Sequence, residues 1–387
     1  MKFYHLADLH IGKKVNGYSM IDDQRVLLDQ VLTLMRQEKP DALILAGDIY
    51  DRRNPTIEAV TLFDQFISQV ILTLDIPILA IGGNHDSGER LGFSNDIQAK
   101  AGLHLAGTFS WPLPQVRLYD DAGPLDIILM AYADLAVLHT LVPETASMTY
   151  AEAMDWILSH IPLDPQARHV LVAHGVVTGD APLSTCDSER TLDIGGTEFW
   201  QSDSLAAFDY VALGHLHQAQ TAGSSRIHYA GSLMQYSFSE EGQQKVLLDI
   251  TIDAKGELSL EKIPLNAPHK LITIQGRLDD LLTVPTAVAA HRNDYLRIVL
   301  EDEGSLLEPM QRLKQCYPNI MLMERLNAYH SMPTQQLPSV SQSFVPANHS
   351  PLAMFETFYE QMTKTPASEE MRTLMTDIFA EVQKEAL

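Results

Sequence analysis

Sulfur chemistry is scarce in this chain. Among 387 residues there are two cysteines, Cys186 and Cys316, and neither has a partner at metal-motif spacing, so no disulfide framework is indicated. Long apolar runs are also missing: the longest candidate, residues 70–81, is broken by Asp75 and Pro77 and falls short of the ~18 residues a membrane span needs. The N-terminus lacks the basic and then hydrophobic layout of a secretory signal. A soluble protein of a reducing cytoplasm, with no membrane contact, is the expectation. Positive charge is the third scarcity. With 27 Lys plus Arg against 50 Asp plus Glu, the net charge is -23, which argues against a broad basic face gripping nucleic acid. A polyanionic substrate would have to be met by bound cations and by a partner's surface.

What is present is an ordinary apolar fraction, 45%, arranged in alternation. Strand-like runs at residues 2–7, 42–46 and 76–81 alternate with helical patterns at 24–37 and 57–74. Further strands are expected at 126–131, 168–173 and 210–213, with a helix at 150–160. This order predicts a layered α/β core with helices outside. Strands at 227–230, 245–252 and 258–263, turned by Lys255-Gly256, would extend a sheet. Beyond Pro268, strands at 271–274, 296–300 and 320–324 and a helix at 306–316 predict a small α+β domain. Residues 331–351, rich in Ser, Pro, Gln and Asn, read as a linker. After it, Leu352, Phe355, Phe358, Tyr359 and Met362, then Met371, Leu374, Met375, Ile378, Phe379 and Val382, form two apolar stripes at helical spacing. The domains expected are 1–267, 268–330, the linker 331–351, and 352–387.

Chemistry concentrates where strands end. Asp8 and His10 follow the first strand, Asp48 and Asp51 the second, Asn84 and His85 the third; His174 ends a fourth, and His215 and His217 follow a fifth. In open α/β sheets ligands gather at the carboxyl ends of strands, so five segments deliver polar groups to one edge. Taken singly, an Asp after a strand is a turn former or cap, and a lone His is a satisfied surface or core residue. Jointly, carboxylate, amide and imidazole without thiolate suit hard and borderline divalent ions such as Mn²⁺. One carboxylate, Asp48, can bridge two ions at ~4 Å, which would hold a phosphodiester, activate water and offset the charge of the leaving oxygen. Hydrolysis of a phosphate ester is the reaction type expected.

The ordered series Asp8-Leu9-His10, Gly47-Asp48-Ile49-Tyr50-Asp51, Gly83-Asn84-His85-Asp86, His174-Gly175 and Gly214-His215-Leu216-His217 resembles the calcineurin-like metallophosphoesterases. A narrower resemblance lies in Ser188-Glu189-Arg190, Ile194-Gly195-Gly196-Thr197-Glu198, Gly231-Ser232-Leu233 and Ser237-Phe238-Ser239-Glu240. These motifs are similar to those of the SbcD family, nuclease subunits of bacterial SbcCD complexes. Ala7 and Ala230 depart from the family's usual residues, at positions that carry no ligand.

The resemblance implies a β-sandwich core flanked by helices, with a small α+β capping domain for DNA recognition and a helical tail. It implies two Mn²⁺ ions, with Mg²⁺ as the alternative metal: one held by Asp8, His10, Asp48 and His217, the other by Asp48, Asn84, His174 and His215. His85 would act on the phosphate or the leaving group, with Asp86 orienting its imidazole and raising its pKa toward that of a general acid. Asp51 resembles a carboxylate supporting the ligands, and by itself reads equally as a turn residue. Lys13, Lys14, Arg52 and Arg53 flank the metal edge, as phosphate contacts or as solvated surface charges. The activity implied is double-strand exonuclease and single-strand or hairpin endonuclease in DNA repair, recombination and replication. Its partners would be DNA ends and hairpins, a second copy in a heterotetramer, and an SbcC-type coiled-coil ATPase, through which alone ATP enters. The tail would dock on that ATPase by laying its apolar stripes in a groove. The competing reading is a stand-alone phosphatase or cyclic-nucleotide phosphodiesterase, which would have no use for the segments after Pro268.

Overall fold

The computed structural model describes residues 1–179, 182–189, 199–326, 352, 355, 359 and 366–385. Arg190, the Ile194-to-Glu198 motif and the expected linker lie outside these. Met1–Glu324 make one compact unit and Arg325–Leu387 a second.

Two six-stranded sheets build the first unit. One runs in the order Leu258–Pro264, Val246–Ile252, Lys2–Leu6, Ala42–Ala46, Ile78–Ile81, Leu103–Ala106. The other runs Gln220–Ala222, Ser224–Tyr229, Tyr210–Gly214, Arg168–His174, Gly123–Met130, Gln115–Asp120. Successive side chains of a strand point to opposite faces. In Ala42–Ala46, Ala42, Ile44 and Ala46 join a core shared with Ile127, Val170 and Ala212 of the other sheet. Leu43 and Leu45 instead pack with Leu28, Val31 and Phe63, from the helices Ile21–Glu38 and Ile57–Ser68. On the second sheet Ile128, Leu171 and Val211 face the helix Tyr150–Ser159 through Met154 and Ile157. Central strands are therefore buried on both faces, which is why they read as unbroken apolar runs. The layered α/β expectation is borne out.

Some elements differ from the periodicity. The helix at 57–74 is α-helical only through Ser68; Gln69–Thr73 is π-helical, and Leu74 N donates to Gln69 O at 3.1 Å. The helix at 306–316 shrinks to Pro309–Lys314, because Glu308 turns left-handed at φ 43° and Pro309 sits in the first helical turn, where its missing N–H costs nothing. Leu103–Ala106 and Gln115–Asp120 are edge strands that escaped the reading; the second exposes alternate polar residues and has no apolar run.

Beyond residue 270, Leu271–Gly276, Tyr295–Leu300 and Ile320–Arg325 form a three-stranded sheet with its own core of Ile274, Leu296, Ile298, Leu313 and Tyr317. Leu271, Tyr295 and Met321 join the larger core, and Tyr18 Oη donates to Ile320 O at 2.9 Å. In the second unit the helix Glu369–Glu385 is capped by Ser368 Oγ, which accepts from Met371 N at 3.3 Å. Leu374 and Ile378 are exposed on it, Met371, Met375 and Phe379 half-buried. The Phe355 and Tyr359 rings stand 5.8 Å apart. Phe358 and Met362 are outside the described residues, as is the side chain of Val382. Among the described residues no helix is long and apolar enough to cross a membrane.

His5 sits between the sheets, its Nδ1 at 2.9 Å from Tyr210 Oη. Burial and the neighbouring His228 push its pKa from 6.5 down to about 3. A base whose pKa is lower in the folded than in the unfolded state leaves the folded state with fewer protons. Its contribution to stability is thus complete above about pH 6.5 and lost as the pH falls. Between pH 6.5 and 5 the loss should reach about 2 kcal/mol. Urea unfolding at pH 7.5 and 5.0 checks this against His5→Asn, which should show a shallower decline; equal declines would remove His5 as the cause.

Candidate metal centre

Because Lys2–Leu6, Ala42–Ala46 and Ile78–Ile81 are mutually parallel, as are Arg168–His174 and Tyr210–Gly214, all five release their chains at one edge of the sandwich. Four of the residues leaving there have left-handed backbones: Asp8 (φ 49°), His10 (42°), Asp48 (48°) and His215 (107°). Such conformations cost on the order of 1–3 kcal/mol each for residues with a Cβ and persist only where surrounding structure over-determines them. Here the loops brace one another. Asp8 N donates to Gly47 O at 3.1 Å, His10 N to Asp48 O at 2.9 Å, and His215 N to the Asp8 carboxylate at 2.9 and 3.0 Å. At Gly83 a Cβ would stand 2.2 Å from Asp48 Oδ1, and at Gly47 one would stand 2.4 Å from His174 Nδ1. Glycine at these two places lets the loops carrying Asp48, Asn84 and His174 close up.

The side chains converge. His10 Nε2 and His217 Nε2 face each other at 3.1 Å. Asp8, His10 and His217 form one group of potential donors, and Asp8, Asp48 and His174 another. His174 donates Nδ1–H to Ala46 O at 2.9 Å, which aims its Nε2 inward, 3.0 Å from Asn84 Oδ1. Asp8 belongs to both groups, and Asp48 of the second also faces His10 of the first. Asp48 Oδ1 accepts from His85 N at 2.9 Å, while Oδ2 stands 3.7 Å from His10 Nε2 and 3.4 Å from His174 Nε2. The His215 ring meets the His174 ring edge-on at 5.4 Å. The Asn84 amide nitrogen is buried without a partner among the described residues.

Burial and mutual charge pull the groups of the cluster in opposite directions. Burial pushes Asp8 up to about 7 against the pull of His174 and His217. Asp48 also feels burial, but the charge and hydrogen bond of His174 outweigh it and hold its carboxyl well below the usual carboxylate range. His174, despite burial, is drawn up to about 9 by Asp48, whereas burial and His174 drive His215 down to about 3. Packed carboxylates and imidazoles hold protons where metal ions would replace them. The donor set fits divalent cations of hard to borderline character.

A family model described as calcineurin-like phosphoesterase matches residues 1–219, and one described as type 5 capsule protein repressor C-terminal domain matches 267–363. The chain is 31% identical over 368 residues to the SbcD component of the SbcCD nuclease from Staphylococcus epidermidis, covering 94% of each protein. The chain belongs to the SbcD family. Among solved structures, similarity is found to a dimetal phosphatase from Danio rerio (13% identity, 69% of this chain and 97% of that, TM-score 0.41) and to the phosphoesterase Yfce from E. coli (15%, 69% and 100%, TM-score 0.28).

In this SbcD-family chain the support for His85 differs from the expectation. Asp86 does not orient the His85 ring: its carboxylate accepts three backbone N–H groups, from Ile49, Tyr50 and Gly83, each at 3.0 Å. Burial and nearby Asp48 raise its pKa to about 7. Asp86 ties the Asp48 loop to the Asn84 loop. The backbone carbonyl of Asp51 takes over the orienting part, accepting from His85 Nδ1 at 3.0 Å. The Asp51 carboxylate pairs with Lys13 Nζ at 2.9 Å, so Lys13 is committed within the protein. Lys14, Arg52 and Arg53 are exposed. Arg53 borders an open cleft of about 860 Å³ that also takes in Asn84, Thr108, Phe109 and Tyr132.

Sequence reasoning passed over a buried network behind His217. Ser188 Oγ lies 2.8 Å from His217 Nδ1 and donates to Glu240 Oε1 at 2.5 Å, and Lys245 Nζ reaches Glu240 Oε2 at 2.6 Å. Burial of Glu240 opposes its charge, but His217 and Lys245 overcome that and hold the carboxyl at about 2. The Ser188-Glu189 and Ser237-to-Glu240 motifs were the available signal, and spacing alone assigns them no chemistry.

Proposed function

We propose that Asp8, His10, Asp48, Asn84, His174, His215 and His217 hold two divalent cations, Mn²⁺ with Mg²⁺ as the alternative, and that this nuclease subunit hydrolyses phosphodiester bonds in DNA. The observation that carries the reading is the single oxygen Asp48 Oδ2, poised between the His10 and His174 ring nitrogens. Ions bound there would supply Lewis-acid charge for the phosphoryl oxygens and acidify water. The protein's own part is positional. Asp48 Oδ1 fixes the His85 backbone, and the Asp51 carbonyl occupies His85 Nδ1, leaving Nε2 to exchange a proton with a leaving oxygen. The cleft bordered by Arg53 offers room for the strand beside the scissile phosphate.

The substrates proposed are DNA ends and hairpins, cut as double-strand exonuclease and single-strand endonuclease in a cytoplasmic complex of two such chains with an SbcC-type ATPase. The net charge of -23 supports delegating the grip on DNA to that partner. Residues 1–267 are proposed as the catalytic domain, 268–330 as the cap, 331–351 as linker, and 352–387 as the segment docking on the ATPase. Exposure of Leu374 and Ile378 on the tail helix supports this docking. Burying such side chains contributes on the order of 1.5–3 kcal/mol each before ordering costs.

The test is an assay of the purified chain with Mn²⁺ on duplex DNA, single-stranded DNA and a small phosphodiester, with and without the ATPase. A chain truncated after Ser331 should cleave the small diester at close to the parental rate but lose partner binding and ATP-dependent cutting of duplex DNA. Full-affinity assembly by the truncated chain would refute docking by the tail. Cleavage of small diesters alone, even with the ATPase present, would return the protein to the stand-alone esterases.

A further inference from the structure

His217 is pinned at three points. Its backbone N–H donates to Glu189 Oε1 at 2.7 Å, its carbonyl oxygen accepts from Lys245 Nζ at 2.8 Å, and its ring Nδ1 meets Ser188 Oγ at 2.8 Å. The contacts close a circuit. Ser188 Oγ–H donates to Glu240 Oε1, Lys245 Nζ donates to Glu240 Oε2, and the same ammonium returns to the His217 carbonyl. Tyr236 N adds a donor to Glu240 Oε1 at 3.1 Å. Behind the ring Nδ1, two other histidines of the set have no such side-chain support. His174 Nδ1 donates to the neutral carbonyl of Ala46, and His10 Nδ1 is buried without a partner among the described residues.

Such fastening has a physical reason. With Nδ1–H given to Ser188, His217 carries a bare lone pair on Nε2, aimed at His10 Nε2 only 3.1 Å away. His10 can donate Nε2–H to it until a cation displaces that proton and takes both lone pairs, so the fastening keeps the His217 ring aimed at the ion. A buried carboxylate behind the serine polarises its hydroxyl and makes the imidazole a better donor to metal. Glu240 can be buried at this place because Lys245 pairs with it at 2.6 Å and offsets the cost of removing its charge from water.

We infer that Ser188, Glu240 and Lys245 are positioning residues that hold His217 for the cation on the Asp8 and His10 side of Asp48, so that this ion's affinity is set by the buried network. The inference rests on the two-cation reading and adds what distinguishes the two positions: one has a charged relay behind its histidine, the other a backbone carbonyl.

The experiment is Mn²⁺ binding to the full-length chain, followed by calorimetry and by electron paramagnetic resonance, in which a coupled Mn²⁺ pair and an isolated ion differ. The parent should bind two ions and show the coupled spectrum. Ser188→Ala should weaken one ion roughly 10–100-fold, leave the other unchanged, and give the isolated-ion spectrum at equimolar Mn²⁺, with the thermal unfolding profile preserved. Glu240→Gln should weaken the same ion. Ser188→Thr, which keeps the hydroxyl, should restore the coupled spectrum; that rescue separates positioning from mere packing. Parental affinity for both ions in Ser188→Ala and Glu240→Gln overturns the inference while leaving the two-cation reading standing, and so does equal weakening of both ions. A parent chain that binds one Mn²⁺ sinks the two-cation reading and the inference with it.

Discussion

Asp48→Ala is expected to abolish hydrolysis and to empty both cation positions. One oxygen of the Asp48 carboxylate lies within 3.7 Å of the His10 and 3.4 Å of the His174 ring nitrogens, and its other oxygen holds the His85 backbone. Removal of the carboxylate takes away the oxygen that faces both rings and leaves Asp8 as the remaining carboxylate beside them. Two ions supply several kcal/mol of charge stabilisation to a phosphoryl transition state, which at ~1.4 kcal/mol per decade is roughly a 10³-fold loss or more. Mn²⁺ counting on the desalted protein, beside the rate on a small diester, checks it. Asp48→Asn, which keeps an acceptor for His85 N–H, guards against a loss that is only misfolding. Retention of two tightly held ions in Asp48→Ala would show that the bridge lies elsewhere.

His85→Ala should behave in the opposite way: both ions retained, turnover down by about 10²–10⁴-fold, the usual contribution of a positioned acid or base. His85 stands beside the proposed ligands, its ring edge-on to His10 with centroids 4.9 Å apart, and its Nδ1 is spent on Asp51 O. Parallel metal counting and single-turnover cleavage separate ligation from proton transfer. If His85→Ala lost metal as completely as Asp48→Ala, the division between ligand and acid would be wrong. Since Asp86 holds backbone and not the His85 ring, Asp86→Asn should disturb the Asp48 loop more than the proton chemistry.

The sequence by itself determined the layered α/β architecture and the order in which polar groups reach the sheet edge. Strands such as Ala42–Ala46 are short, buried on both faces and therefore continuously apolar, so a polar residue one or two positions past them stands out. Spacing along one segment carries that much. It does not carry what two distant segments do to each other. That Asp86 spends its carboxylate on the backbone of Ile49, Tyr50 and Gly83 depends on how two loops cross, and a pair of adjacent residues such as His85-Asp86 suggests a contact that the chain geometry turns apart. That Lys13 is tied to Asp51 while Arg53 borders the cleft is likewise invisible in a run of basic letters. The circuit through Ser188, His217, Glu240 and Lys245 joins residues 5 to 52 positions apart. Only the tertiary structure could close it, because hydrogen bonds act over about 3 Å and the buried charges in it are tolerable only when all of them meet.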